Sequence, residues 1–313
     1  MKTRILGNAT IEVSEIGLGT NYIGGHNFYD AVDEAAGIQI VEQALELGIN
    51  FFDTADIYGF GRSEELVGKA LGSRKNEVFI ATKGGITFAG IKRIGISNRP
   101  AYLRQALEAS LRRLGRDYID LYYIHKPDGQ TPPEEAYGAL LKFKAEGLIR
   151  AAGVSNFKLP DLKAALTAGP VDALQSRYNI FQREAEAEIL PFCRENRISF
   201  IPWGPLAFGL LGGRYTPGLK LPENDWRHRT GLFGKEVFTD NLKVVERLSA
   251  FAQKRGVTVP QLAIRWLLHH REIGSVIAGA KHPAQVAQNI QAGGWELTAD
   301  EITQISALIR PEN

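Results

Sequence analysis

Short runs of β-branched and aromatic residues alternate with amphipathic stretches from one end of the chain to the other. This is the pattern of repeated βα units, in which a crossover helix returns the chain to the next parallel strand. Strands are predicted near residues 15–18, 49–53, 78–82, 118–124, 150–154, 173–175, 199–202 and 275–277. Between them, apolar positions recur at helical spacing. Across 102–114, Leu103, Ala106, Leu107, Ser110, Leu111 and Leu114 share one face, which predicts a buried stripe. Start signals mark several helices: Pro100 after Asn98, Pro132 and Pro133 after Thr131, and a capping box of Thr258 with Gln261. Eight strand–helix units in series predict an α/β fold of the (β/α)8, or TIM barrel, type.

Three segments fall outside the repeat. Residues 2–13 read as an N-terminal hairpin, 204–238 as a long loop after the seventh strand, and 298–309 as an extra C-terminal helix with its own Thr298/Glu301 box. No Pro-, Gly- or Ser-rich linker interrupts the alternation, so 1–313 is expected to form a single domain. Loops that follow barrel strands gather on one face, and a connection as long as 204–238 is usually functional. That loop is therefore expected to overhang the site.

Composition agrees, since 313 residues with 44% hydrophobic and 23% charged content can bury a large core. Charge removes whole classes of function. The 37 Lys and Arg are interleaved with 35 Asp and Glu, for a net charge of +2, so neither nucleic acid nor a membrane surface is an expected partner. The Met1-Lys2-Thr3-Arg4 start leads into a stretch too short and too polar for a leader. No run approaches the roughly 18 apolar residues of a membrane span. Cys193, the single cysteine, sits in a helical pattern and reads as a packed, inert thiol. A cytoplasmic location is the default expectation, and no obligate protein partner is evident.

Missing motifs narrow the chemistry. A Rossmann fingerprint needs G-x-G-x-x-G after an early strand, but the nearest run, from Gly17 and Gly19, has Tyr22 in the third glycine's place. P-loop, nucleophile-elbow and zincin signatures are absent as well. His269 and His270 are adjacent on a helix and point to different faces, so no metal is expected.

The ends of three consecutive predicted strands carry Asp53, Lys83 and His125, and Tyr58 follows Asp53 on the same loop. Taken singly each has a bland reading: a salt-bridge partner, a packed ring, a core histidine. In a barrel these strand ends meet at one mouth. There, a tyrosine near an ammonium is a better acid than its ordinary pKa of about 10 allows. Lys83 can supply the ammonium, Asp53 can keep it charged, and a neutral His125 can donate to an oxygen on which negative charge develops. Together they make a site that polarises a carbonyl, accepts a hydride at its carbon and delivers a proton to its oxygen.

Gly17-Leu18-Gly19-Thr20, Asp53-Thr54-Ala55-Asp56-Ile57-Tyr58-Gly59, Ala81-Thr82-Lys83-Gly84 and Gly153-Val154-Ser155-Asn156-Phe157 resemble the aldo-keto reductase superfamily, over residues 6–289. The resemblance implies a barrel that binds NAD(P)(H) without a Rossmann fold and reduces aldehydes and ketones, with Tyr58 as acid and Asp53, Lys83 and His125 as its partners. It also implies that Ser155, Asn156 and Gln175 read the nicotinamide amide, with Trp203 stacked on the ring where the family often has Tyr. Gly204, Pro205, Leu206, Gly209 and Leu211 would line the pyrophosphate, and Gly19, Thr20 and Asn21 would border the cofactor beside Asp53. Gly279, Ala280, Lys281, Gln285, Gln288 and Asn289 would grip the adenosine ribose. Gln285 stands where many NADP-preferring members carry Arg.

NADP(H) is nevertheless expected over NAD(H): no carboxylate lies between 278 and 289 to take a ribose 2′-hydroxyl, whereas Lys281 and His282 can meet a 2′-phosphate. Tyr22, Phe88 and Trp226 should join Tyr58 and His125 around the substrate, with Asn21, Lys126, Asp128 and Arg227 nearby. That mixed set points to a small polar aldehyde, ketone or aldose. Two other readings remain open: a non-catalytic nicotinamide-binding barrel resembling potassium-channel β subunits, and a lyase or aldolase using Lys83 as a Schiff base.

Overall fold

A computed structural model describes residues 1–29, 31–90, 92–223 and 225–309. Strands β1 (Thr3–Leu6) and β2 (Ile11–Ser14) pair antiparallel as the expected hairpin. The chain continues through β3 (Ile16–Gly19), α1 (Glu34–Glu46), β4 (Phe51–Asp53), α2 (Arg62–Leu71) and β5 (Phe79–Gly84). A second hairpin, β6 (Ile86–Ala89) and β7 (Lys92–Ile96), precedes α3 (Pro100–Leu114), β8 (Ile119–Ile124), α4 (Pro133–Ala145) and β9 (Ile149–Ser155). Then come α5 (Leu159–Ala168), β10 (Ala173–Arg177), α6 (Ile189–Glu195) and β11 (Ser199–Trp203). Helices α7 (Lys235–Arg255) and α8 (Val259–Leu268), strand β12 (Val276–Gly279), and helices α9 (Pro283–Ile290) and α10 (Ala299–Ile309) follow a long connection.

Eight strands form one parallel sheet in the order β11-β10-β9-β8-β5-β4-β3-β12. A single bridge joins its free edges: Phe200 N–H donates to Glu272 O at 2.8 Å and Gly274 N–H to Phe200 O at 3.0 Å. With helices between the strands, the molecule is a (β/α)8 barrel, and each strand lies where the hydrophobic pattern predicts it to within two residues.

Alternation along the strands sorts side chains into two cores. Phe51, Ala81, Leu121, Tyr123, Ala151, Ala173, Ile201 and Ile277 fill the interior, and Leu6, Ile11 and Val13 of the first hairpin close its floor. Their neighbours Phe52, Ile80, Tyr122, Ala152, Leu174 and Phe200 face the helices instead. The interior has room for the Tyr123 ring because residue 153 is glycine; a Cβ there would lie 2.6 Å from it.

Several local expectations need correction. Neither α3 nor α4 has a side-chain N-cap; a first-turn proline has no N–H to satisfy, and Asn98 instead donates to Lys126 O at 3.0 Å. The Thr258/Gln261 and Thr298/Glu301 boxes do form. The β6–β7 hairpin has no counterpart in the predicted elements. The 204–238 segment is built from 3-10 turns at Ala207–Gly212 and Trp226–Thr230, and α7 begins inside its predicted end. Cys193 is buried, which pushes its thiol up to about 12. Among the described residues no helix is long and apolar enough to cross a membrane, and no group of three His, Cys, Asp or Glu could hold a metal.

Candidate active site

Register in the parallel ladder assembles the polar top of the barrel. Asp53 ends β4 beside Gly19 and Ala81, Lys83 lies beside Tyr123, and His125 leaves β8 with its N–H on Gly84 O at 2.8 Å. Lys83 Nζ donates to Asp53 Oδ1 at 2.6 Å and to Thr54 O at 2.7 Å, while Gln175 Nε2 donates to Asp53 Oδ2 at 2.8 Å. The Lys83 and Asp53 side chains are only 1% and 5% exposed. Burial alone would pull Lys83 down, but Asp53 and Tyr58 outweigh it and hold the ammonium above its ordinary range. The lysine is charged.

Tyr58 stands over this pair, its ring centroid 5.3 Å from Lys83 Nζ, and His125 meets it edge-on at 6.2 Å and 84°. Lys83 draws the phenol down as the sequence suggests, but burial and the facing Asp53 carboxylate push harder, so the net shift is upward from 10. At neutral pH the phenol keeps its proton. The backbone then runs through three left-handed residues, Gly59 (φ 57), Phe60 (φ 55) and Gly61 (φ 98). A Cβ at residue 59 would meet Gly24 O at 1.9 Å, so glycine is required there. Phe60 holds a conformation that costs a bulky residue about 1–3 kcal/mol, and its ring reaches Phe88 of β6 at 5.5 Å. Phe28 packs edge-on to Tyr58 at 5.9 Å. Phe28 and Phe60 are mouth residues that the sequence did not single out; the one available signal was Phe60 between two glycines.

The expected cofactor residues divide into those that border the mouth and those engaged behind it. Gly19 and Gly279 pair across β3 and β12, and Ser155, Gln175 and Trp203 lie at or near the ends of β9, β10 and β11. Ala207 (φ 47), Phe208 (φ 59) and Gly209 (φ 95) turn the backbone between Gly204 and Leu211. Pro205 is buried and Leu206 half-buried, with Leu206 O accepting from Gly209 N–H and Leu211 N–H; the Leu211 side chain is core. Thr20 is fully buried, its hydroxyl on Asp53 O at 3.0 Å and on Ser63 Oγ at 3.0 Å, where it braces the Asp53 backbone. Asn21 donates to Tyr29 OH at 3.1 Å. Lys281 Nζ lies 5.4 Å from the Tyr22 ring and 5.1 Å from that of Tyr29. Gln285 Oε1 accepts from Lys281 N–H at 2.6 Å and so caps its own loop. Ala280 and Asn289 are buried, Gln288 exposed.

The long connection reaches the mouth through aromatic contacts: Trp226 packs on Phe208 at 5.1 Å, and Phe208 on Trp203 at 6.0 Å. Arg227 is held by Asp225 at 2.6 Å and donates to Tyr215 OH at 2.7 Å. Asp128 is also engaged, accepting from the backbone of Asn98, Gln130 and Thr131 and from the Thr131 hydroxyl.

Behind Tyr58, Asp56 is 1% exposed and its Oδ1 has no hydrogen-bond partner. Burial, reinforced by the nearby Glu64 carboxylate, pushes it well above the ordinary carboxylate range. The sign follows from linkage: above the unfolded value the unfolded chain releases this proton while the folded chain keeps it, so stability falls as pH rises through that range. Asp56→Asn is therefore expected to raise Tm at pH 7–8 by about 2–4 °C and to leave it unchanged near pH 3. Thermal unfolding across that range checks this; an equal or lower Tm at pH 8 would contradict a neutral Asp56.

The model of the Aldo/keto reductase family matches residues 15–310. The chain belongs to the aldo/keto reductase family. Among similar proteins, aldo-keto reductase YhdN of Bacillus subtilis is 35% identical over 312 residues, covering 99% of this chain and 94% of its own. Aldo-keto reductase yakc [NADP(+)] of Schizosaccharomyces pombe is 36% identical, covering 97% and 90%. The glycerol dehydrogenase AKR11B4 from Gluconobacter oxydans superposes with a TM-score of 0.91 at 35% identity, covering 98% of this chain and 94% of that one. As an aldo-keto reductase the protein is an oxidoreductase on the same barrel.

Proposed function

We propose that this aldo-keto reductase transfers a hydride between NADP(H) and the carbonyl or alcohol carbon of a small molecule, as a 1.1.1-class oxidoreductase, with Asp53, Tyr58, Lys83 and His125 as its catalytic residues. The observation that carries this reading is the buried Lys83–Asp53 pair beneath Tyr58 and His125 at the top of the barrel. The residues present fit the cofactor: beyond Gly204 the backbone turns through left-handed residues 207–209 at the end of β11, and Trp203 keeps a half-exposed aromatic face. When bound, NADP(H) supplies or takes the hydride. Tyr58 Oη gives its proton to the substrate oxygen, His125 donates a second hydrogen bond to that oxygen, and Lys83 stabilises the phenolate left behind. In alcohol oxidation the same groups run in reverse. A Schiff-base role for Lys83 is disfavoured, since an ammonium held charged by Asp53 is a poor nucleophile.

NADP(H) preference rests on Lys281, which lies over the Tyr22 and Tyr29 rings just beyond β12, and on the yeast relative whose name carries NADP(+). Lys281→Ala is expected to raise KM for NADPH roughly ten-fold, the worth of one charge-assisted contact, and to leave KM for NADH nearly unchanged. Equal wild-type values for the two cofactors would refute the preference.

For the substrate we favour a short polar aldehyde, ketone or aldose, in line with the similarity to a glycerol dehydrogenase. Because Asp128 and Arg227 are engaged within the protein, few hydroxyls can be read, which favours the short end of that class. A panel of aldoses, short hydroxyaldehydes and apolar ketones, followed at 340 nm with both cofactors and with Trp226→Ala, tests the reading. Highest kcat/KM on apolar ketones would overturn the polar assignment, and no turnover with any carbonyl would overturn the reductase.

A further inference from the structure

The turn that carries Tyr58 is laddered to β5 as far as Asp56: Thr54 N–H donates to Ala81 O at 2.9 Å and Asp56 N–H to Lys83 O at 3.2 Å. Beyond that point its backbone bonds are its own, Tyr58 N–H to Ala55 O and Phe60 N–H to Ile57 O, both at 3.1 Å. Phe60 is left-handed (φ 55), and such a residue persists only where its surroundings over-determine it. The loop between β3 and α1 supplies the constraint. Asn27 Nδ2 donates to Ile57 O at 3.0 Å, and Asn27 Oδ1 accepts from Gly59 N–H at 2.8 Å. Which end of the amide faces which group is fixed, because a peptide N–H only donates and a carbonyl only accepts. Gly24 of the same loop lies against Gly59, and the Phe28 ring against that of Tyr58. His26 Nε2 is 3.0 Å from Glu34 Oε1, and Arg62 Nε and Nη2 donate to the two Glu34 oxygens at 2.9 and 2.7 Å. The loop is thereby tied to the first residue of α2.

We propose that Asn27 is a positioning residue for the proton donor: its side-chain amide clamps the peptide groups on either side of Tyr58 and so aims the phenol. Peptide units are planar, so the conformation of Tyr58 is set by the two planes that meet at its Cα, one carrying Ile57 C=O and the other Gly59 N–H. Asn27 bonds to both. Holding the two planes fixes the direction of the Cα–Cβ bond, and with it the arc on which the phenol oxygen stands over Lys83. Lys83 and His125 are held by the β5–β8 ladder, whereas Tyr58 lies beyond the end of β4 and needs a support of its own. Asn27 is exposed, and Ile57 O keeps the Phe60 N–H without it. Replacing Asn27 therefore opens no cavity and leaves the fold intact.

The kinetic half of the test rests on the reductase reading, and the spectroscopic half does not. Only Tyr58 and Tyr137 precede a glycine in the sequence, so the cofactor-free protein labelled with 13C-carbonyl tyrosine and 15N-glycine shows two tyrosine-coupled amides. One is Gly59; the other is Gly138, inside α4. Asn27→Ala is expected to speed hydrogen exchange at Gly59 roughly ten-fold, about the worth of one hydrogen bond, and to leave Gly138 at its wild-type rate. Asn27→Asp keeps an acceptor for Gly59 N–H and loses the donor to Ile57 O, so Gly59 should stay protected. Both variants should lower kcat roughly ten-fold, as a small misplacement of a reacting group does, with KM for the carbonyl and NADPH affinity nearly unchanged. In a Tyr58→Phe background the Asn27→Ala step should cost less than about two-fold, because Asn27 acts through the phenol. Unchanged exchange at Gly59 would overturn the clamp, as would equal acceleration at Gly138, which would make the loss global. So would an intact kcat with KM raised about ten-fold, which would assign Asn27 to the substrate, or an undiminished Asn27→Ala effect in Tyr58→Phe. Absence of turnover in the wild type would refute the reductase reading and leave the exchange test standing.

Discussion

Tyr58→Phe is expected to lower kcat for carbonyl reduction by roughly 10²–10⁴-fold, the usual contribution of a positioned general acid, with NADPH affinity within about two-fold of wild type. The ring would still pack against Phe28 and stand over Lys83, because those contacts use its face and edge. Only the proton would be missing. The phenol is pushed above 10 by burial, with Lys83 the main opposing influence, so the acid form persists through neutral pH. Reductive kcat should therefore stay level to alkaline pH and fall only as the phenol titrates, and the variant's residual activity should lack that fall. Single-turnover rates with prebound NADPH separate the chemical step from product release. A Phe variant with near wild-type single-turnover rate would remove Tyr58 from the mechanism.

Lys83→Met is expected to disable and destabilise the enzyme together. It removes the cation that stabilises the phenolate, and it leaves Asp53 buried with Gln175 as its remaining side-chain partner. Breaking a buried pair on one side costs about 3–5 kcal/mol, which corresponds to a fall in Tm of roughly 5–8 °C for a domain of this size. Asp53→Asn/Lys83→Met has no stranded charge and should recover most of that Tm while staying at least about 100-fold down in kcat. Differential scanning calorimetry and steady-state kinetics on the three proteins separate the two losses. A single variant that melts with the wild type would show that the pair is not the buried unit the structure describes.

The strands were legible because alternation reports directly on which side chains face the barrel interior, and the eight barrel strands lie where it pointed. The catalytic cluster was legible for a related reason: Asp53, Lys83 and His125 each interrupt an apolar run at its end, where a buried charge has no place without a partner. What the sequence concealed depends on contacts between distant segments. The β6–β7 hairpin is brief and half-polar, and its role is visible only through Phe88 meeting Phe60. Asn98 and Thr131 look like caps in the chain, yet Asn98 donates to a neighbouring loop at Lys126 O and the Thr131 hydroxyl closes a turn on Asp128 within its own. Thr20 reads as a mouth residue, but its hydroxyl faces Ser63, far along the sequence. The direction of the Tyr58 shift was misread because the charge of Lys83 is visible in the sequence and the degree of burial is not.

The barrel is closed by one bridge, at Phe200 and Ile273, and all of the long connection that begins at Gly204 enters on the same side. Asp53, Tyr58, Lys83 and His125 belong to β4, β5, β8 and the turns behind them, within the continuously laddered part of the sheet. The reacting groups and the long connection are thus housed in different arcs of the wall. Two strands, β9 and β10, stand between β11, where the connection leaves, and β8, the nearest strand to carry a reacting group, so a change of length within 213–223, beyond the cofactor turn, reaches the proton donor and its supports only through them. Such a division lets one set of reacting groups be inherited intact while the clientele of the enzyme is rewritten.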